Sequence, residues 1–179
     1  MASLMHALEV PPPGKGGDTL FVDMYSALES LPPGIAASIR GRDALHSYAH
    51  SFTHRDGAEL DKVRADADAP GHSAVHPMVR VHPETGRSAL YVNRGFVTSI
   101  VGMDDEGREL LEQLFAHCEA GAGVRRMRHR WRAHDIVLWD NRCSMHLATP
   151  FAAGETRHMH RTTVKGDAPR GPSRPAAAL

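Results

Sequence analysis

Two positions near the carboxyl end of the chain carry residue types that bind metals and anions. His146 follows an apolar run, residues 135–139, that is typical of a buried strand, and it lies at a strand edge where ligands often bind. Arg161 comes fifteen residues later, on the same face of a predicted strand as Arg157. The two arginines are about 13 Å apart along such a strand, so they cannot easily hold one carboxylate. On residue type alone, an ordinary core histidine and structural ion pairs remain open alternatives.

The elements that must position these side chains are short strands separated by many turns. The chain has 179 residues, 41% of them hydrophobic and 23% charged, which suits one globular domain. Its 16 glycines and 12 prolines favour turns over a helical bundle. Apolar and alternating patterns predict strands at 3–10, 19–22, 78–82, 88–93, 125–132, 135–139 and 157–164, with helices after Asp23, from Pro33 and over 105–121. This order predicts a mainly β fold with helical insertions.

Two segments depart from this pattern. Residues 54–73 are polar and poor in large aliphatic side chains, which predicts a mobile loop or weak helix. The chain ends in a Pro-, Gly- and Ala-rich stretch, which predicts a domain over residues 1–168 and a disordered tail over 169–179.

Charge and composition argue against several classes of partner. Lys plus Arg and Asp plus Glu both number 21, so the net charge is zero, and we expect no nucleic-acid partner. No apolar run reaches the roughly 18 residues of a membrane span, so we expect no membrane partner. The amino terminus lacks the pattern of a signal peptide, and only Cys118 and Cys143 occur. These features favour a cytoplasmic protein without a disulfide framework.

A set of short segments resembles the taurine dioxygenase-like family, whose relatives include 2,4-dichlorophenoxyacetate dioxygenases. The segments follow the family's order, and together they are far more specific than any one of them alone. They are Gly-Gly-Asp-Thr at 16–19, His-Pro-Met-Val-Arg-Val-His-Pro-Glu-Thr-Gly-Arg at 76–87, Leu-Tyr-Val-Asn at 90–93, Trp-Asp-Asn-Arg at 139–142 followed by His146, and Met-His-Arg at 159–161. The resemblance implies a double-stranded β-helix, or jelly roll, that uses Fe(II) and 2-oxoglutarate.

The same resemblance implies roles for four residues. His146 matches an iron-ligand histidine, and Arg161 matches the arginine that binds the far carboxylate of 2-oxoglutarate. Thr19 matches a threonine that also contacts this cosubstrate. Arg157 is either a second carboxylate-binding group or part of a structural ion pair. These residue types suit the chemistry, because neutral imidazole binds Fe(II) and a guanidinium holds a carboxylate at two points.

One departure from the family pattern concerns the other two iron ligands. The family supplies them from a His-x-Asp or His-x-Glu motif that would fall before Met1, so we expect a jelly roll that is incomplete at its N-terminus. Three similar tripeptides lie where the family has other elements: His54-Arg55-Asp56, His82-Pro83-Glu84 and His117-Cys118-Glu119. We reject them as ligands and keep His54 and Asp56 as the minor alternative.

The expected function is therefore that of a dioxygenase family. Such an enzyme hydroxylates a small, anionic organic substrate while 2-oxoglutarate is oxidatively decarboxylated. With one matched ligand, this chain is expected to hold iron poorly and to be inactive in its shortened form. The alternative is a non-catalytic remnant that binds a small carboxylate or a partner subunit without iron. An exposed sheet edge would also favour a homo-oligomer.

Overall fold

The computed structural model describes residues 1–52 and 72–172, which form small antiparallel sheets and a few helices. The sequence prediction of a mainly β fold is confirmed. The strands are β1 Ala2–Glu9, β2 Thr19–Asp23, β3 Asp43–Ser47, β4 Ser73–Pro77, β5 Val79–Val81, β6 Ser88–Leu90, β7 Val97–Ile100, β8 Arg126–His129, β9 Ile136–Asp140, β10 Ser144–Ala148 and β11 His158–Val164. The helices are α1 Met24–Glu29, α2 Pro33–Ile39 and α3 Asp105–Ala120, with a short 3₁₀ turn at Ala49–Phe52.

Local sequence signals explain where the helices lie. The carboxylate of Asp23 accepts hydrogen bonds from the backbone N–H groups of Tyr25 and Ser26, so it caps α1 as predicted. Pro33 opens α2, where its missing N–H costs nothing. The apolar stripe predicted for α3 is buried: Leu110, Leu111, Leu114, Phe115 and Cys118.

Two three-stranded sheets carry the residues of interest. In one sheet, β1 lies between β11 and β9. Its register places Ser3 opposite both Thr163 and Trp139. In the other sheet, β2 lies between β10 and β8, and His146 is opposite Phe21. The sheets β4-β3-β7 and β5-β6 complete the β structure of the described residues.

The core lies where α1, α2 and α3 meet the strands β3, β5, β6 and β7. The side chains that are less than 2% exposed there include Ile39, Met78, Leu90, Ile100 and Leu114. The hairpin predicted around residues 83–87 forms as β5 and β6. Its turn is therefore anchored on a packed core.

Two strands differ from their predictions. Ile136 and Leu138 on β9 are 64% and 66% exposed, although Trp139 is buried, so β9 is covered on one face only among the described residues. β8 is shorter than predicted, and the Arg126 side chain is not simply solvated. Its guanidinium donates to the carbonyls of His117, Cys118 and Gly121 and so satisfies the free end of α3.

The two segments with unusual composition are described only in part. The predicted loop over 54–73 lies outside the described residues up to residue 71, as do His54 and Asp56. At the other end, the carbonyl of Arg170 accepts a hydrogen bond from the backbone N–H of Val81, and residues 173–179 lie outside the description. Within the described ranges, no helix is long and apolar enough to span a membrane.

Candidate functional site

A cavity of about 510 Å³ brings together two of the predicted site residues. His146 and Arg161 both line it. Other side chains that line it come from β3, β4 and the segment after β6, among them His46, His76 and Tyr91. The cavity therefore combines two arginines, Arg142 and Arg161, with several imidazoles.

His146 lies against two aromatic rings. The centroid of its ring is 5.0 Å from that of Trp139, edge to face, and 6.1 Å from that of Phe21. Burial lowers the pKa of His146, and the nearby Arg161 charge lowers it further. The imidazole is therefore neutral at neutral pH, which is the form that can give a lone pair to a metal ion.

Arg161 is held by a chain of hydrogen bonds. Its Nη2 donates to Ser3 Oγ at 3.0 Å, and its guanidinium lies 5.5 Å from the centroid of the Trp139 ring. Ser3 Oγ also accepts from Asn141 Nδ2 at 2.9 Å, while Asn141 Oδ1 accepts from Trp139 Nε1 at 2.9 Å. The sequence did not single out Ser3, and Asn141 appeared only as part of a matched segment.

Thr19 and Arg157 form a second group outside that cavity. Thr19 is 4% exposed, and its Oγ1 accepts a hydrogen bond from Trp131 Nε1 at 2.9 Å. Arg157 Nε donates to the carbonyl of Gly17, two residues before Thr19, at 3.1 Å. Arg157 Nη2 is buried without a hydrogen-bond partner in the described structure. Burial lowers the pKa of Arg157, as expected for a cation without an opposite charge beside it.

His46 and His76, which also line the cavity, are neutral at neutral pH as well. The His46 ring stacks on Tyr91 with centroids 5.2 Å apart, and His76 meets His46 edge to face at 5.1 Å. Burial lowers the pKa of His46 to about 4, with a further contribution from His76. The pKa of His76 is lowered by burial and by Arg80, whose guanidinium lies over the Tyr91 ring. Both imidazoles are therefore uncharged at neutral pH.

His82, Asp140 and Cys143 form the single group of three potential ligands found close together within the described residues. Its geometry is that of a hydrogen-bonded clamp. His82 Nδ1 accepts from the backbone N–H groups of Glu84 and Thr85, so Nε2 carries the hydrogen and donates to Asp140 Oδ2 at 3.1 Å. Burial raises the pKa of the Cys143 thiol, which keeps it protonated. His82 and Asp140 therefore already satisfy each other, and Arg142 donates further hydrogen bonds to Asp140.

The two rejected tripeptides that the structure describes are also engaged elsewhere. Glu84 lies 3.5 Å from Arg142, and His82 belongs to the clamp. His117 Nε2 lies 3.0 Å from the carbonyl of Ala27, and Glu119 pairs with Arg94. Neither tripeptide places a histidine and a carboxylate beside His146.

Comparison with known proteins supports the family indicated by the segments. The model of the family "Taurine catabolism dioxygenase TauD, TfdA family" matches residues 1–163. Pentalenolactone F synthase of Streptomyces arenae is 35% identical over 97% of this chain and 60% of its own length. The alpha-ketoglutarate-dependent 2,4-dichlorophenoxyacetate dioxygenase of Cupriavidus pinatubonensis is 32% identical over 93% of this chain and 55% of its own.

Solved structures give the same result. A putative alpha-ketoglutarate-dependent taurine dioxygenase from Burkholderia xenovorans superposes with a TM-score of 0.76 at 33% identity, over 96% of this chain and 54% of that one. AAD-2 in complex with Mn(II) and N-oxalylglycine superposes with a TM-score of 0.77 at 31% identity, over 94% and 64%. The chain spans about half the length of the curated relatives it matches. On this agreement of sequence and structure, the chain belongs to the TauD/TfdA family of dioxygenases.

Proposed function

We propose that this chain forms the cosubstrate-binding part of an Fe(II)- and 2-oxoglutarate-dependent dioxygenase acting on a small anionic organic substrate. In the overall reaction, O₂ supplies one atom to the substrate as a hydroxyl group and one to succinate, while 2-oxoglutarate loses CO₂. The observation that carries the proposal is a neutral His146 beside the Arg161 guanidinium in one cavity. We further propose that the sheets belong to a double-stranded β-helix, or jelly roll.

The residues around Gly17 fit a carboxylate. Arg157 offers a buried nitrogen without a hydrogen-bond partner among the described residues, and leaving a charged donor unsatisfied is costly. The Thr19 hydroxyl accepts from Trp131, so its own hydrogen remains available to donate to a carboxylate oxygen. We propose that the far carboxylate of 2-oxoglutarate binds between Thr19 and Arg157.

Arg161 then provides a second carboxylate site, inside the cavity that contains His146. The family resemblance assigns the cosubstrate carboxylate to Arg161, and that assignment stays a prediction. Arg157 immediately precedes β11 and Arg161 lies on it, and this four-residue spacing favours two separate anions. Whichever carboxylate Arg161 binds lies near the proposed metal ligand.

Iron would supply the activation of O₂, and His146 is the residue of the described structure that we propose as its ligand. The neutral imidazole fits this role. Among the described residues, the one group of three potential ligands is His82, Asp140 and Cys143, and in it His82 and Arg142 already donate hydrogen bonds to Asp140. We therefore propose that the described residues contribute to the reaction mainly by binding and orienting anions.

The test is a calorimetric titration of 2-oxoglutarate into the wild type and three variants. We expect Arg157→Ala and Thr19→Val to weaken binding, the arginine change by at least tenfold, because a buried carboxylate without its partner costs about 2–5 kcal/mol. Arg87→Ala removes an exposed guanidinium paired with Glu29 and is the control, with no expected change.

Arg161→Ala completes the comparison of the two arginines. If Arg161→Ala weakens 2-oxoglutarate binding more than Arg157→Ala does, the cosubstrate carboxylate belongs to Arg161. Equal affinity in all variants, or no binding by the wild type, rejects the proposal. Binding without any succinate formation, even after loading with Fe(II), would favour the non-catalytic carboxylate-binding protein.

A further inference from the structure

Ser3 occupies a central place in the sheet β11-β1-β9. Its side chain is fully buried, and the register of β1 sets it between Thr163 on one neighbouring strand and Trp139 on the other. Ser3 Oγ accepts hydrogen bonds from Arg161 Nη2 and Asn141 Nδ2 and lies 3.5 Å from Thr163 Oγ1. The Ser3 hydroxyl therefore links several polar side chains in addition to filling space in the sheet.

We propose that Ser3 is a positioning residue that fixes the direction of the Arg161 guanidinium in the cavity. The inference rests on the proposed function, because it takes Arg161 as a carboxylate-binding group. A free arginine side chain loses conformational entropy when it is ordered. An arginine that is already ordered in the unliganded protein avoids that loss on binding.

The hydrogen bonds also connect Arg161 to the surroundings of His146. The Asn141 side-chain amide uses its oxygen for Trp139 Nε1 and its nitrogen for Ser3, which fixes its orientation. The Trp139 ring in turn contacts both the His146 ring and the Arg161 guanidinium. Ser3 therefore lies at the junction between the anion-binding group and the aromatic wall of the proposed metal ligand.

A matched control separates this role from simple stabilisation. Ser26 is 3% exposed, accepts a hydrogen bond from the backbone N–H of Arg125 at 2.9 Å and donates to the carbonyl of Asp23 at 2.8 Å. It is thus buried and hydrogen-bonded like Ser3 but lies outside the residues that line the cavity. Ser3→Ala and Ser26→Ala should both lower the free energy of unfolding, since each leaves buried polar groups without a partner.

The experiment measures carboxylate affinity by calorimetry for the wild type, Ser3→Ala, Ser26→Ala, Arg161→Ala and the double variant Ser3→Ala/Arg161→Ala. The probes are 2-oxoglutarate and 2,4-dichlorophenoxyacetate. For the probe that Arg161→Ala weakens, we expect Ser3→Ala to lower the affinity at least fivefold and Ser26→Ala to leave it unchanged. In the Arg161→Ala background, the Ser3→Ala change should have no further effect.

Two outcomes would overturn the inference. One is an unchanged affinity in Ser3→Ala for a probe that Arg161→Ala weakens. The other is an equal loss in Ser3→Ala and Ser26→Ala, which would mean that general destabilisation is the cause. Should Ser3→Ala fail to fold, Ser3→Cys keeps the volume with a weaker acceptor and takes its place, with the same expected direction.

A separate measurement keeps this inference distinct from the proposed function. If neither probe binds the wild type, or if Arg161→Ala weakens neither, the anion-binding role of Arg161 fails. The positioning of Arg161 is then decided by ¹⁵N relaxation of its Nε–H, whose signal is identified by its loss in Arg161→Ala. Greater mobility of this group in Ser3→Ala supports the role of Ser3, and unchanged mobility rejects it.

Discussion

Asp140 illustrates how single residues stabilise the segment that leads to His146. Its carboxylate accepts hydrogen bonds from His82 Nε2 and from the backbone N–H, Nε and Nη2 of Arg142. Burial alone would raise the pKa of Asp140, but the bonds from Arg142 and His82 outweigh it and hold the pKa well below its usual range. The clamp therefore depends on the ionised form of the carboxyl group.

We predict that Asp140→Asn lowers the free energy of unfolding by about 2 kcal/mol at pH 7, the scale of hydrogen bonds to a charged group. Because the folded-state pKa is lowered, this stabilisation is present above the unfolded pKa of about 3.9 and is lost as the pH falls below it. Urea unfolding from pH 2.5 to 7 measures both effects.

The control for this prediction is Glu112→Gln, which removes an exposed partner of Arg94. Exposed ion pairs contribute little, so its effect should stay below about 1 kcal/mol. Parallel stability curves for the wild type and Asp140→Asn across the acid range would show that the Asp140 carboxylate does not titrate as the clamp requires.

His46 gives a second prediction at the scale of the residue. We expect its imidazole to titrate near pH 4 rather than near 6.5, because the ring is buried between Tyr91 and His76. The lowered pKa means that the unfolded chain binds this proton more readily, so stability falls as the pH drops from about 6.5 towards 4. Proton NMR measures the pKa directly, with His46→Gln identifying the resonance. A titration near 6.5 would mean that water reaches this wall of the cavity.

The sequence suggested some of the proposed site residues and missed others for a physical reason. His146 and Arg161 were proposed because their segments resemble the family, whereas residue type alone left a core histidine and an ion pair open. Ser3 was missed because its importance comes from partners 138 and 158 residues away in the chain. Such contacts depend on strand order and register, which no local pattern reports.

At the scale of the element, α1 depends on one carboxylate for its start. Asp23 accepts from two backbone N–H groups of α1 and also pairs with Arg125 at 2.8 Å. We predict that Asp23→Ala lowers the free energy of unfolding by about 1 kcal/mol, the usual loss of a helix cap. Asp23→Asn keeps the cap and loses the ion pair, so it should retain most of the stability, since Arg125 is largely exposed. Urea unfolding of both variants measures the difference, and an equal loss in the two would assign the effect to the ion pair.

The buried face of an element was predicted well where local periodicity determines it. It was predicted poorly where it depends on the neighbouring layer of the fold. The apolar stripe of α3 follows helical periodicity and is buried as expected. The apolar run of β9 suggested burial on both faces, yet Ile136 and Leu138 are exposed. Whether a strand face is covered depends on the element packed against it, and that information lies elsewhere in the sequence.

At the scale of the whole molecule, the groups proposed to bind anions and the residue proposed to bind the metal all lie within the region that the family model matches. Thr19, Arg157 and Arg161 come from strands or segments of the matched family region, and His146 lies in the same region. The chain nevertheless spans only about half the length of its curated relatives. The affinity for carboxylates and the affinity for Fe(II) should therefore be measured separately for this chain.

We predict that the 179-residue chain binds Fe(II) weakly and forms no succinate from 2-oxoglutarate. A facial triad needs three protein ligands, and His146 is the residue proposed for that role within residues 1–52 and 72–172. With a single protein ligand, most of the affinity for the metal would be absent, as would the geometry that leaves positions open for cosubstrate and O₂. Anaerobic Fe(II) titration followed by a succinate assay in air measures both properties.

Two outcomes of the succinate assay would contradict this prediction. Succinate formation that is abolished by His146→Ala and also by His54→Ala would show that His54 and Asp56, which lie outside the described residues, supply the remaining ligands. Succinate formation abolished by His146→Ala but unaffected by His54→Ala would mean that other groups complete the site, and the predicted lack of activity would be wrong.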